Sequence, residues 1–215
     1  MSRVRIVIFA KAPLPGHAKT RLIPTLGAQG AADLAQRMLT HTLEQALAAA
    51  VGPVELCVTP SPAEAAWQSL VVPATVAWSD QGEGDLGTRM SRAARRVTDA
   101  GESVLIIGTD CPALDAARLR CAATSLQTFD ATLVPTADGG YVLLGLNRFH
   151  ASIFEAIEWS TDTVALETRR RLGQMDWKVQ SHPMLHDIDE PADLRWLPDE
   201  WRAPAREHTF EPSTK

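Results

Sequence analysis

The chain has 215 residues, a length that fits one domain with a sizeable core, with 45% hydrophobic and 22% charged residues as in an ordinary globular protein. Its 21 Lys and Arg are outnumbered by 26 Asp and Glu, for a net charge of −5, which excludes nucleic-acid binding by broad phosphate neutralisation but leaves room for a local basic pocket. No apolar run approaches the roughly 18 residues of a membrane helix, the first ten residues lack a signal-type stretch, and the three cysteines form no CxxC pair, so the reading is a cytoplasmic protein with reduced thiols, no zinc site and no membrane insertion.

Taken in order, Val4 to Ala10 is a continuous β-branched run, the pattern of a strand buried on both faces. Ala31 to Ala50 is a helix with Leu39, Leu43 and Leu47 at spacing four, ended by Gly52-Pro53. Val54 to Thr59 reads as a strand, Ser61-Pro62 starts a short helix through Trp67 and Leu70, and Thr75 to Trp78 reads as another strand. Leu86 to Ala100 is a helix with Leu86, Met90, Ala93 and Val97 on one face, and Ser103 to Gly108 is the clearest central strand. A helix from about Asp115 to Gln127 precedes a strand from Ala131 to Pro135. The strand from Tyr141 to Leu146 follows too soon for a helical crossover, so those two pair antiparallel. Thr163 to Gly173 is helical, Trp177 to Ser181 is a last strand, and Glu190 to Leu197 is a short helix.

This alternation predicts a three-layer α/β/α sandwich with a mostly parallel sheet and at least one antiparallel strand. Residues 1–197 would form one domain and 198–215 a loosely packed tail. In such a sheet ligands bind at the carboxyl ends of the strands, so the polar residues there are the candidates.

The first strand runs into Lys11-Ala12-Pro13-Leu14-Pro15-Gly16-His17-Ala18-Lys19-Thr20-Arg21-Leu22. Three cations and backbone N–H groups in a loop stiffened by two prolines make a phosphate cradle. Arg21 can grip two oxygens at once, while Lys19 acts as a point charge. The loop misses a Walker A motif because Ala18 stands where glycine is required. After the central strand, Gly108-Thr109-Asp110-Cys111-Pro112 offers Asp110 as a carboxylate for Mg²⁺ or Mn²⁺ against substrate phosphates, with helix capping as its other local role. Cys111 has no basic neighbour to make it a nucleophile. Late in the chain, Asp187 or Asp189 could supply a second metal carboxylate, while Asp189 or Glu190 could instead cap the helix opening at Pro191.

Gly82-Glu83-Gly84-Asp85-Leu86-Gly87 spells GxGxxG but follows a later strand, so it is a poor NAD(P) fingerprint and a better glycine-rich approach to a ligand. Asp138-Gly139-Gly140-Tyr141 carries a hairpin-turn signal, and before the helix at 163 the local role of Ser160 or Thr161 is an N-cap.

Together KAPLPGHAKTRL, QGEGDLGTRM, GTDCP, DGGY and DIDEPADL resemble the nucleotide-diphospho-sugar transferase superfamily over residues 4 to 197. Within it the chain resembles the bacterial radical-SAM/selenodomain-associated transferase 1 group, and it is also similar to 2-phospho-lactate guanylyltransferase. The resemblance implies a GT-A, Rossmann-like fold and a metal-dependent transferase with a nucleotide-activated donor. Glycosyl transfer from a nucleotide-diphospho-sugar is the leading reaction, and nucleotidyl transfer from an NTP to a phosphorylated acceptor is the alternative. Lys19, Arg21 and Asp110 would be catalytic. The donor would lie along Lys11, Ala12, Pro13, Gly16, Gly82, Gly84, Asp85, Gly87 and Arg89, and the acceptor along Asp138, Gly139, Gly140, Tyr141, Trp159, Ser160, Thr161 and Asp162. Two departures stand out: Thr109-Asp110-Cys111 replaces a D-x-D, and the loop at 11–22 is proline-rich where pyrophosphorylases carry GxGTR. A non-catalytic nucleotide-binding module and an NAD(P)-dependent oxidoreductase are the rival classes.

Overall fold

The computed structural model describes residues 3–202. Seven strands form one sheet: β1 (Val4–Lys11), β2 (Val54–Thr59), β3 (Ala77–Asp80), β4 (Ser103–Ile107), β5 (Ala131–Pro135), β6 (Tyr141–Leu146) and β7 (Val179–Ser181), in the order β3-β2-β1-β4-β6-β5-β7. All neighbours pair parallel except β6, which runs antiparallel to both β4 and β5. The expected three-layer sheet with an antiparallel member is what the chain forms.

Strand alternation explains the layers. Ile6 and Ile8 of β1 join Leu39 and Leu43 of helix α1 (Ile23–Ala49) and Leu119 of helix α3 (Ala116–Ser125) in one buried cluster. Val7, between them, faces the other way, toward Met90 and Val97 of helix α2 (Leu86–Asp99). Leu172 of helix α4 (Val164–Gln174) completes that second cluster. Side chains one apart on a strand face opposite sides, so both layers of helices are sealed by the same strands.

Several boundaries depart from the sequence reading. Helix α1 starts at Ile23, not Ala31, because Pro24 occupies its first turn, where a missing N–H is harmless. Gly27, at φ 72° and ψ 166°, then breaks it before the long run that the leucine spacing had indicated. Strand β3 is shifted two residues later and β7 shortened by two, in each case to the residues that find a ladder partner on β2 or β5. The segment after Ser61 holds only a 3₁₀ turn at Ala65–Trp67. The tail is not loose throughout: Asp199–Arg202 forms a short helix, α5, whose Trp201 ring lies 4.4 Å from the Arg37 guanidinium and edge-on to His41. Residues 203–215 lie outside the described residues.

The carboxyl ends of β1 and β4 lie side by side, and the chain leaves β1 toward β2 on one side while β4 is flanked by β6 on the other. This is the switch point at which open α/β sheets place their ligands.

Candidate active site

Three segments converge on that edge. The loop after β1 is folded tightly: the N–H groups of His17 and Ala18 both donate to the Leu14 carbonyl at 3.0 Å, and Ala12, Ala18 and Leu22 are buried. Those two amides are therefore not part of a phosphate cradle. Lys19 takes a left-handed conformation (φ 47°) that turns its side chain inward, leaving it only 7% exposed. Its Nζ lies 2.8 Å from Asp110 Oδ1, beyond the end of β4, and 3.6 Å from Asp189 Oδ1. The other Asp189 oxygen accepts from Arg21 Nη1 at 2.7 Å, and Arg21 itself is 64% exposed.

The late segment reaches this cluster along the sheet edge. Leu185 N–H donates to Pro135 and Ala137 N–H to Leu185, and Ile188 N–H donates to the Asp110 carbonyl at 2.8 Å. That last bond holds Asp187 beside Asp110. Burial pushes the Asp187 carboxyl above its ordinary range, the nearby Asp138 and Asp110 push it further, and Lys19 opposes them. Helix capping does not use Asp110 or Asp189: Asp115 caps α3, and Glu190 with Asp193 forms the capping box of the 3₁₀ turn at Pro191–Trp196. Among the described residues no group of three or more His, Cys, Asp or Glu is placed to hold a cation unaided. Asp110 and Asp187 offer the one or two hard carboxylate oxygens that Mg²⁺ or Mn²⁺ takes when substrate phosphates supply the rest.

Beside the cluster opens a cleft of about 450 Å³. Its polar lining includes Arg21, Asp110, Asp138, Asp162, Asp187 and Asp189, together with Thr136, Gly140, Tyr141, Ser160 and Thr161. Its apolar lining includes Phe9, Leu86, Met90, Ile106, Trp159 and Val164. Asp138 is fixed in the β5–β6 turn, where its Oδ1 accepts from Thr136 Oγ1 at 2.6 Å and from Gly140 N–H at 2.9 Å. Gly139, at φ 89°, lets this turn meet the 159–162 segment: a Cβ there would stand 2.0 Å from the Asp162 carbonyl oxygen. Gly87 does the same for α2, since a Cβ would fall 2.5 Å from the Trp159 indole nitrogen. Neither Ser160 nor Thr161 caps α4, as the local sequence suggested. The cap position is Thr163, because the Thr161 hydroxyl donates to the Glu158 carbonyl at 2.7 Å.

Thus Arg21, Asp110, Asp187 and Asp189 share one cleft with all the acceptor-side residues singled out from sequence except Gly139, which buttresses its wall. The expected donor residues Lys11, Ala12, Pro13, Gly16, Gly82, Gly84, Asp85, Gly87 and Arg89 lie outside that lining, around the ends of β1 and β3. Some have structural duties. Asp85 caps α2 by accepting from Thr88 N–H, which holds its carboxyl below the ordinary range. Arg89 donates to the Gly84 carbonyl, Arg92 to those of Gln81 and Glu83, and the Gln81 amide bridges the carbonyls of Ala10 and Cys57. These bonds tie the loop to α2 and to the ends of β1 and β2. The apolar lining was missed from sequence because Leu86 and Met90 read as one core-facing stripe, yet Leu86 is 43% exposed while Met90 is buried. Cys111 is buried and its thiol is pushed up to about 11, the reverse of a nucleophile.

Residues 42–161 match a family described as uncharacterized proteins conserved in bacteria, DUF2064. The chain belongs to this family. No curated protein matches it. Among solved structures it is similar to a candidate nucleotide-diphospho-sugar transferase of Desulfovibrio desulfuricans, with 29% identity, a TM-score of 0.85, and coverage of 98% of this chain and 90% of that one. It shares its fold with Rv0371c of Mycobacterium tuberculosis in complex with manganese (16% identity, TM-score 0.52, 91% of this chain and 98% of that one). It also shares it with the 4-diphosphocytidyl-2C-methyl-D-erythritol synthase of Anaerococcus prevotii (10% identity, TM-score 0.58, 94% and 99%). The superfamily resemblance read from the motifs is borne out, and the chain takes its place among the transferases of that fold.

Proposed function

We propose that this family member transfers a group from a nucleotide-activated donor at the cleft beside Lys19, Arg21 and Asp110, with glycosyl transfer from a nucleotide-diphospho-sugar as the leading reaction. The observation that carries the reading is the charged cluster at the switch point: two cations and three carboxylates from loops after β1, β4 and β7, opening onto a ligand-sized cleft.

Arg21 is the exposed cation and would grip donor phosphate oxygens through its planar fork. Lys19 holds the Asp110 carboxylate in place and supplies positive charge beneath it. Asp110 and Asp187 have the donor chemistry for Mg²⁺ or Mn²⁺, and the manganese complex of the Mycobacterium tuberculosis relative supports that choice. When bound, such a cation would supply charge neutralisation at the leaving phosphates. Asp138, with one oxygen anchored by two hydrogen bonds, would accept a proton from an acceptor as it attacks. Holding donor and acceptor in register would account for much of the acceleration.

Nucleotidyl transfer is the second reading, favoured by the fold shared with the 4-diphosphocytidyl-2C-methyl-D-erythritol synthase. Incubating the protein with nucleotide sugars, NTPs and Mg²⁺ separates the two. Release of a nucleoside diphosphate supports glycosyl transfer; pyrophosphate release that requires a phosphorylated acceptor overturns it. A thermal-shift panel tests both, since a ligand of the native state must raise the melting temperature. A shift with NAD(P) alone would point to an oxidoreductase, and nucleotide binding without turnover to a sensor.

A further inference from the structure

We infer that the acceptor is an alcohol or amine with an apolar body and no phosphate or carboxylate, an assignment that rests on the transferase reading above. Three independent features of the cleft point to it.

The first is charge. Five carboxylates line the cleft against one cation, Arg21. That arginine already holds Asp189 at 2.7 Å and approaches Glu190 at 3.7 Å. Counting the adjoining Lys19, the five acids and two cations leave three negative charges in excess, and a divalent cation would still leave one. The diphosphate of a bound donor adds more. An anionic acceptor would enter against this field, whereas a neutral one would not and an ammonium would be drawn in.

The second is that the two helix starts at the cleft, which could otherwise attract an anion, are occupied by the protein's own acceptors. At α2 the Asp85 carboxylate takes the Thr88 N–H at 2.8 Å. At α4 the Ala165 N–H donates to the Gly139 carbonyl at 2.9 Å.

The third is apolar surface. Phe9, Met90, Ile106, Trp159 and Val164 line the cleft, and Leu86 does so while 43% exposed, although a core-facing residue of its helix stripe should be buried. An acceptor with an apolar body would cover that surface, while its hydroxyl or amine reaches Asp138. In the reaction the acceptor O–H or N–H bond breaks as the new bond to the transferred group forms. The bond to the donor's leaving phosphate breaks with its electrons, and the proton passes to Asp138.

The test uses three probes with one apolar body and different charge: benzyl alcohol, benzylamine and benzyl phosphate. Binding to the full chain is read by ligand-observed NMR, with and without Mg²⁺. The alcohol and the amine are expected to bind about tenfold or more tightly than the phosphate, the penalty of bringing an anion near uncompensated carboxylates. Trp159→Ala should weaken the alcohol, and Leu86→Ala, at a half-exposed position, serves where the tryptophan change impairs folding. Equal or tighter binding of benzyl phosphate, no binding of any probe, or binding that neither variant weakens overturns the assignment. Nucleotide-induced thermal shift on the same protein is scored separately. Its absence sinks the transferase reading, while a reversed probe order with that shift intact sinks only the acceptor class.

Discussion

Replacing Gly139 by Ala tests the architecture of the cleft wall. Gly139 sits at φ 89°, and an added Cβ would stand 2.0 Å from the Asp162 carbonyl oxygen and 2.4 Å from its Cα. The left-handed conformation costs a non-glycine residue about 1–2 kcal/mol, partly offset by the about 0.4–1 kcal/mol gained from a less flexible unfolded chain. The contact is with backbone, which cannot rotate aside as a side chain would, and overpacking of this kind adds about 1–3 kcal/mol. Gly101, at φ 78° with nothing within 4 Å of its added Cβ, isolates the first two effects. Gly139→Ala should therefore be less stable than Gly101→Ala by about 2 kcal/mol, which in a domain of this length is about 4–8 °C in melting temperature. Circular dichroism melts of both variants measure it. Because the strain is relieved only by moving Asp138 or Asp162, Gly139→Ala should also weaken benzyl alcohol binding while Gly101→Ala leaves it intact. Melting temperatures within about 1 °C of each other would refute the close approach of the two loops.

Asp187→Asn should stabilise the protein at pH 7 yet weaken metal-dependent nucleotide binding. The folded chain holds the Asp187 proton more tightly than the unfolded one does, so its ionised form opposes folding once pH rises above the ordinary value of 3.8. The gain should fade in melts taken below that pH, and a gain that persists there would refute the linkage. Asp110→Ala should abolish Mg²⁺-dependent nucleotide binding measured by calorimetry, and unchanged affinity would remove it from the site. Glu55 is 2% exposed in β2; burial raises its carboxyl, but hydrogen bonds from Arg96 and Ser79 overcome that and leave it lowered. Its stabilisation is present above its ordinary 4.5 and lost as pH falls through the lower folded value, so Glu55→Gln should destabilise the protein in urea melts near neutrality and do so less in acid. Of the three cysteines only Cys121 is exposed, while burial raises the thiols of Cys57 and Cys111. Ellman's reagent should thus titrate one thiol in the native protein and three after denaturation; fast reaction of a second native thiol would contradict the burial.

The order of elements was legible because buried parallel strands announce themselves as β-branched runs, as at Val4 to Ala10 and Ser103 to Gly108. Short edge elements were less so: β3 and β7 are fixed by their ladder partners, and no local residue marks those limits. Among site residues, Lys19, Arg21, Asp110, Asp187 and Asp189 were visible as charged residues just past strand ends. Leu86 was not, because an apolar residue on a helix stripe looks the same whether the surface opposite is core or cleft.

By itself the sequence determined the layering and the sheet edge that carries the polar loops, since periodicity and turn chemistry are local, and its five motifs carried the resemblance to the superfamily. The tertiary structure decided which charges meet. That Lys19 pairs with Asp110, that Asp187 is crowded by Asp138, and that Gly82, Gly84 and Arg89 lie outside the acid-lined cleft all depend on residues far apart in the chain. Coulomb energy and desolvation depend on distances in space, which no local pattern encodes.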